Sequence, residues 1–234
     1  MKKVTIIFIF LLLTKANAQM TNSIFGKDPI VNLENFQKQK IHFGFFLGFN
    51  SYDFKFDYKA VDPDIYIKKS TGFNVGLVGN IRLHEYIDLR FEPGLYYTKR
   101  DFYYPKLTKE SEKIREVSSS YINFPLLLKF SSLRTGNVRP YLLAGGSATL
   151  NLSSNAKSAD DNLQQVFRTK AWSLNYDLGF GIDIFSEYFI FSPSIRGSFG
   201  LTDELVRDKD PDSPWTSNIQ SMKSRAVFIN FTFH

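Results

Sequence analysis

The sequence predicts an all-β chain: an eight-stranded antiparallel transmembrane β-barrel of the up-and-down kind, exported behind a cleaved signal peptide. Three observations predict it. An N-terminal export signal precedes a chain with no later apolar run long enough to form a spanning helix. Segments of ten or more residues alternate apolar and polar side chains. The connections between them alternate short and long, as in barrels with periplasmic turns and external loops.

The signal comes first. Lys2 and Lys3 form a basic start, Val4 to Leu13 an apolar run broken at Thr5, and Ala16-Asn17-Ala18 a small-residue cleavage site. The run is about half of the roughly 20 residues a spanning helix needs. Cleavage is expected after Ala18, leaving Gln19 at the mature N-terminus. The sequence divides into a signal peptide (1–18), a periplasmic N-terminal tail (19–40) and a barrel (41–234). The localisation that follows is the outer membrane of a Gram-negative cell.

Composition narrows the function. The formal charge of +6 includes Lys2, Lys3 and Lys15 of the signal, and the mature chain carries about +3, evenly spread. That gives no footprint for nucleic acid. The absence of Cys excludes disulfides, thiolate metal ligands and a thiol nucleophile. Twenty-four Phe and 12 Tyr need an apolar medium.

The strands are read at 41–57, 72–81, 86–100, 119–130, 138–151, 171–185, 188–201 and 223–233. From 86 to 100, Ile87, Leu89, Phe91, Pro93, Leu95 and Tyr97 share one face, and Asp88, Arg90, Glu92, Gly94, Tyr96 and Thr98 the other. From 171 to 185, Trp172, Leu174, Tyr176, Leu178, Phe180, Ile182 and Ile184 oppose a face with Asn175, Asp177 and Asp183. Segments 82–85, 131–137 and 186–187 are short, whereas 58–71, 101–118, 152–170 and 202–222 are long and polar. A soluble sandwich or lipocalin-like barrel would also alternate, with its apolar face turned inward. The aromatic content of that face, the Gly, Asn and Asp of the other and the terminal strand ending at Phe233 favour the membrane reading.

An eight-stranded barrel is filled by its own side chains. Its inward charges must then neutralise one another. The expected lumen network contains Asp88, Arg90, Glu92, Lys129 and Arg139, with Asp177 opposite Arg196 as a second pair. This is a structural plug, with a site for a peptide or partner segment as the sharper alternative. Catalysis is not expected. His42, His84 and His234 have no Ser or Asp partner in their own segments. No zinc-protease, phosphate-loop or calcium-loop spacing occurs. No cofactor or metal is expected. Gly145-Gly146 is read as relief of crowding inside a strand.

Several stretches carry a family resemblance. Val31-Asn32-Leu33-Glu34-Asn35-Phe36 and then His42-Phe43-Gly44-Phe45-Phe46-Leu47-Gly48-Phe49-Asn50 resemble the opening of the PorT proteins of Bacteroidota, called SprT in gliding members. Arg90-Phe91-Glu92-Pro93-Gly94-Leu95, Tyr121 to Lys129 and Pro140 to Gly146 resemble motifs of the wider group of small barrels in that phylum. The resemblance spans the mature chain. It implies an accessory or assembly component of the type IX protein secretion system, serving cargo export and, in some species, gliding motility. The partners implied are other outer-membrane or periplasmic secretion proteins and outer-membrane lipid. A small barrel for adhesion or envelope stability, binding ligands through its external loops, is the competing reading.

Overall fold

The computed structural model describes residues 31–60, 65–105, 113–155, 167–210, 213 and 215–234. The expected signal peptide and residues 19–30 of the tail lie outside the described residues. The strands are β1 (Ile41–Tyr58), β2 (Tyr66–Lys69), β3 (Thr71–His84), β4 (Ile87–Phe91), β5 (Gly94–Tyr103), β6 (Ile114–Ser131), β7 (Val138–Asn151), β8 (Trp172–Phe185), β9 (Ile190–Gly200) and β10 (Ile219–Phe233).

Two breaks turn eight staves into ten segments. Ser70 separates β2 from β3, and Glu92-Pro93 separates β4 from β5. Proline has no N–H to give to a ladder. Pro93 still accepts from the Leu77 N–H at 3.0 Å, and Glu92 donates its own N–H to the Pro125 carbonyl at 3.2 Å. The stave therefore runs on through the break. All pairings are antiparallel between neighbours, and β1 pairs with both β10 and β3, closing the ring. Closure leaves no sheet edge to be satisfied in lipid.

The alternation sorts the faces as membrane insertion requires. Phe45, Leu47 and Phe49 on β1, Leu77 on β3, Leu174, Leu178 and Phe180 on β8 and Ile229 on β10 are all exposed on the outside. Asn50, Asn74, Asn80, Asn123, Asn175 and Asn230 are buried in the interior. A soluble barrel would have these faces reversed. On β8 the outward apolar series runs from Trp172 to Ile182. Ten residues rise about 33 Å, or about 25 Å along the membrane normal at a ~40° tilt, which matches the apolar band of such barrels.

The strands extend further than alternation alone predicts. The second stave opens at Tyr66 in β2, β6 begins at Ile114 and β10 at Ile219. These extensions and the loops above them enclose an apolar cluster of Phe54, Ile65, Phe102, Phe167, Leu205 and Met222 at the outer end. The opposite end carries the short turns and both ends of the described chain. In the turn between β6 and β7, Gly136 adopts φ 59°, where a glycine costs least.

Gly145 is required for a second reason. A Cβ there would sit 2.2 Å from the Leu126 carbonyl oxygen and 2.8 Å from the Leu127 Cα, both backbone. At Gly146 the nearest contact would be an ordinary 3.6 Å. Gly145→Val is therefore expected to destabilise the barrel by at least about 1–3 kcal/mol, and Gly146→Ala by no more than about 0.5 kcal/mol. Urea unfolding of the detergent-solubilised barrel measures both. Equal midpoints for the two variants would contradict the close-approach account.

Candidate functional site: the lumen network and the periplasmic mouth

Alternation places Arg90 and Glu92 on the inner face of one stave, two residues apart, and Arg196 inward from β9. Glu92 is 2 % exposed and Arg90 and Arg196 1 % each. Arg90 donates Nε–H to Glu92 Oε1. Arg196 donates to Glu92 Oε2 at 2.5 Å and to the Tyr96 hydroxyl at 3.0 Å. Arg90 also donates to Thr232 Oγ1 at 3.1 Å. One carboxylate thus holds two guanidinium groups, and the cluster ties β4, β5, β9 and β10 together across the lumen.

A second cluster lies nearer the turns. Lys129 donates to both carboxylate oxygens of Asp183, at 2.9 and 2.7 Å, and Ser192 donates to the same group at 2.7 Å. The Lys129 ammonium rests 4.1 Å from the centroid of the Tyr141 ring. Asp88 faces Lys129 in register on the adjacent stave.

Higher up, Arg100 is fully buried, lies 4.1 Å over the Phe54 ring and donates to the Tyr121 hydroxyl. At the outer end, Glu204 accepts from the Ser224 N–H at 3.1 Å and its hydroxyl at 2.9 Å, and burial pushes its carboxyl above the usual range.

The expected residues are all inward-facing, but their partners differ. Arg196 is bonded to Glu92, not to Asp177. Asp177 is fully buried, and neither of its carboxylate oxygens has a hydrogen-bond partner among the described residues. The turn explains the correction. β8 ends at Phe185 and β9 begins at Ile190, so four residues make the connection where two were expected. The register moves by two, setting Asp177 opposite Ser198 and Arg196 opposite Gly179, while both keep their faces.

Arg139 is not in the network either. It stands at the rim and donates to the Ser132 and Glu85 carbonyls at 3.0 and 2.7 Å, joining two turns. Sequence reasoning placed Asp183 on the polar face and missed its role. Tyr96 was read as inward without its bond to Arg196, and Thr232 and Ser192 were missed, because cross-lumen contacts leave no mark in local spacing.

The tail lies across this mouth. Asn32 donates its N–H to Asn137 Oδ1 at 2.9 Å and its side-chain amide to the Phe185 carbonyl at 3.1 Å. Arg134 donates to the Asn32 carbonyl at 2.5 Å and lies 3.8 Å over the Phe185 ring. Phe36, in a short 3-10 turn, meets the His42 ring edge-on at 5.1 Å, and His42 meets His234 at 5.2 Å. Beneath Phe36 a cavity of about 30 Å³ reaches Lys129 and Asp183. Another, between Tyr52, Tyr121 and Asn175, is about 10 Å³. Each is of the order of one or two waters. Among the described residues, no group of three or more His, Cys, Asp or Glu could hold a metal ion.

Comparison with known proteins places this architecture. The chain is similar to the outer membrane protein OprG of Pseudomonas aeruginosa, at 15 % identity over 82 % of this chain and 93 % of that one, with a TM-score of 0.45. It is similar to the Neisserial surface protein A at 9 % identity, over 80 % and 95 % of the two chains, with a TM-score of 0.42. No curated protein matches the sequence. A family model described as an outer membrane protein beta-barrel domain matches residues 17–206. The chain belongs to that family of outer-membrane β-barrels.

Proposed function

We propose that this barrel is a non-catalytic accessory or assembly component of the type IX protein secretion system, acting in cargo export and, in gliding cells, in motility. The observation that carries the reading is a filled lumen beneath a tethered tail. Buried side chains occupy the interior from Lys129 and Asp183 up to Phe54 and Met222, and Phe36 lies over the periplasmic mouth. A barrel of this kind conducts nothing large and works through its surfaces. The resemblance of His42 to Asn50 to the opening of the PorT proteins supports the choice of system.

The tail is the surface we assign to docking a periplasmic or outer-membrane partner. Asn32 and Phe36 bind it to the mouth, while Val31 stays exposed, as do Leu133 and Tyr188 on neighbouring turns. Loss of the whole protein is expected to block export of cargo bearing C-terminal signal domains while small-solute permeability stays unchanged. Deletion of residues 21–38 is expected to leave a folded barrel, at normal levels, that fails in export. Normal export by the tail deletion would dispose of the docking role, and normal export by the complete knockout would dispose of the assignment.

The adhesion reading rests on a different observation. Ile65, Phe167 and Leu205 of the external loops are buried in the outer apolar cluster, which gives those loops a firm platform. A knockout that exports cargo normally but loses binding to an outside ligand would favour it.

A further inference from the structure

We infer that the outward face at the junction of β1 and β10 is a binding site for a phosphate-bearing glycolipid of the outer leaflet. The end of the barrel opposite the short turns faces outside. Along this seam, the cross-strand pairs run Phe49 with Ile229, Ser51 with Val227, Asp53 with Arg225 and Lys55 with Lys223. The surface thus changes from apolar to cationic within a few residues. Arg225 and Lys223 lie two and four residues beyond Val227, about 5 and 10 Å further along the normal at ~40° tilt. Arg225 is at headgroup depth, since the polar layers add roughly 5–8 Å to each side of the hydrocarbon, and Lys223 stands just above it, within reach of its long side chain.

Two features make this more than scattered surface charge. First, Asp53 is 7 % exposed and fixes two of the cations: Lys69 Nζ at 2.8 Å and Arg225 at 2.7 Å. Second, Lys55 and Lys223 face each other directly in register. Like charges so placed repel. The carboxylate beside them, Asp57, is 3.8 Å from Lys55 and already accepts a hydrogen bond from Ser221 at 2.6 Å. Four cations therefore surround two engaged carboxylates, and an excess of positive charge is left at the level where lipid phosphates lie.

Ser51, Asp53, Lys69, Phe199, Arg225 and Val227 line a groove of about 330 Å³ on this face. Phe199 and Val227 make its lower part apolar, and Lys69 and Arg225 make its upper rim cationic. An occupant with an acyl chain below and a phosphate above satisfies both halves.

The test uses the mature full-length protein in mild detergent, incubated with bisphosphorylated lipid A, its dephosphorylated form or phosphatidylglycerol. Native mass spectrometry counts the lipid retained per barrel. Wild type is expected to retain the bisphosphorylated lipid about tenfold more than the dephosphorylated one, and the Lys55→Gln/Lys223→Gln double variant to lose most of that preference. Equal retention of the two lipid A forms overturns the proposal, as does unchanged preference in a folded double variant. Phosphatidylglycerol retained as well as lipid A reduces the site to general anion attraction and also overturns it. Should the variant not fold, the wild-type comparison of the two lipid A forms decides.

Discussion

Glu92→Gln is expected to be among the most destabilising single substitutions in the lumen, at about 3–5 kcal/mol. Glu92 is the carboxylate for both Arg90 and Arg196, and all three side chains are shut away from water. Guanidinium groups stay protonated. The variant would hold two buried like charges with nothing between them but an amide. The loss should appear as a lower midpoint in urea unfolding and a lower temperature for the gel-mobility shift of the folded barrel. Replacing the whole group with apolar residues (Glu92→Leu with Arg90→Met and Arg196→Met) should recover much of it, because removing every charge also removes the desolvation cost. Wild-type stability in Glu92→Gln would show that the cluster is hydrated and contributes little.

Asp183→Asn is expected to have the next largest effect, again about 3–5 kcal/mol near neutral pH. It removes the carboxylate to which the Lys129 ammonium gives two hydrogen bonds. Asp88, opposite Lys129 in register on the adjacent stave, is then the nearest remaining carboxylate. Asp88→Asn added to Asp183→Asn should therefore lower the urea midpoint further than Asp183→Asn alone. Equal midpoints for the single and double variants would show that Asp88 does not support the lysine.

The eight staves were legible because a spanning strand must alternate with period two, and Ile87 to Tyr97 and Trp172 to Ile184 do so without interruption. The break at Glu92-Pro93 was not legible. Pro93 occupies an outward apolar slot, so the pattern stays intact where the ladder does not. The strand ends were missed where β2, β6 and β10 leave the apolar band, since outward residues there no longer need to be apolar. Faces were predictable and partners were not. Asp177 and Arg196 are both inward as expected, yet a four-residue turn in place of two moves them out of opposition. Lys129 finds Asp183 across a narrow interior, at a separation of 54 residues that local spacing does not encode.

The clamp on Glu92 bears on how the protein reaches its final state. Two of its contacts are distant in sequence: Arg196 lies 104 residues from Glu92, and Thr232 lies 142 from Arg90. Contacts of such separation form late, after the loop-closure entropy of nearly the whole chain has been lost. Until β10 meets β1, the inner face is an open sheet; Arg90 already has Glu92 two residues away, but Arg196 has no mate, and an unpaired ion cannot enter hydrocarbon cheaply. The sheet must therefore curl while these groups are still wet. Passage into the bilayer and sealing of the last seam become a single concerted event, and a chain arrested one strand short would stall at the surface.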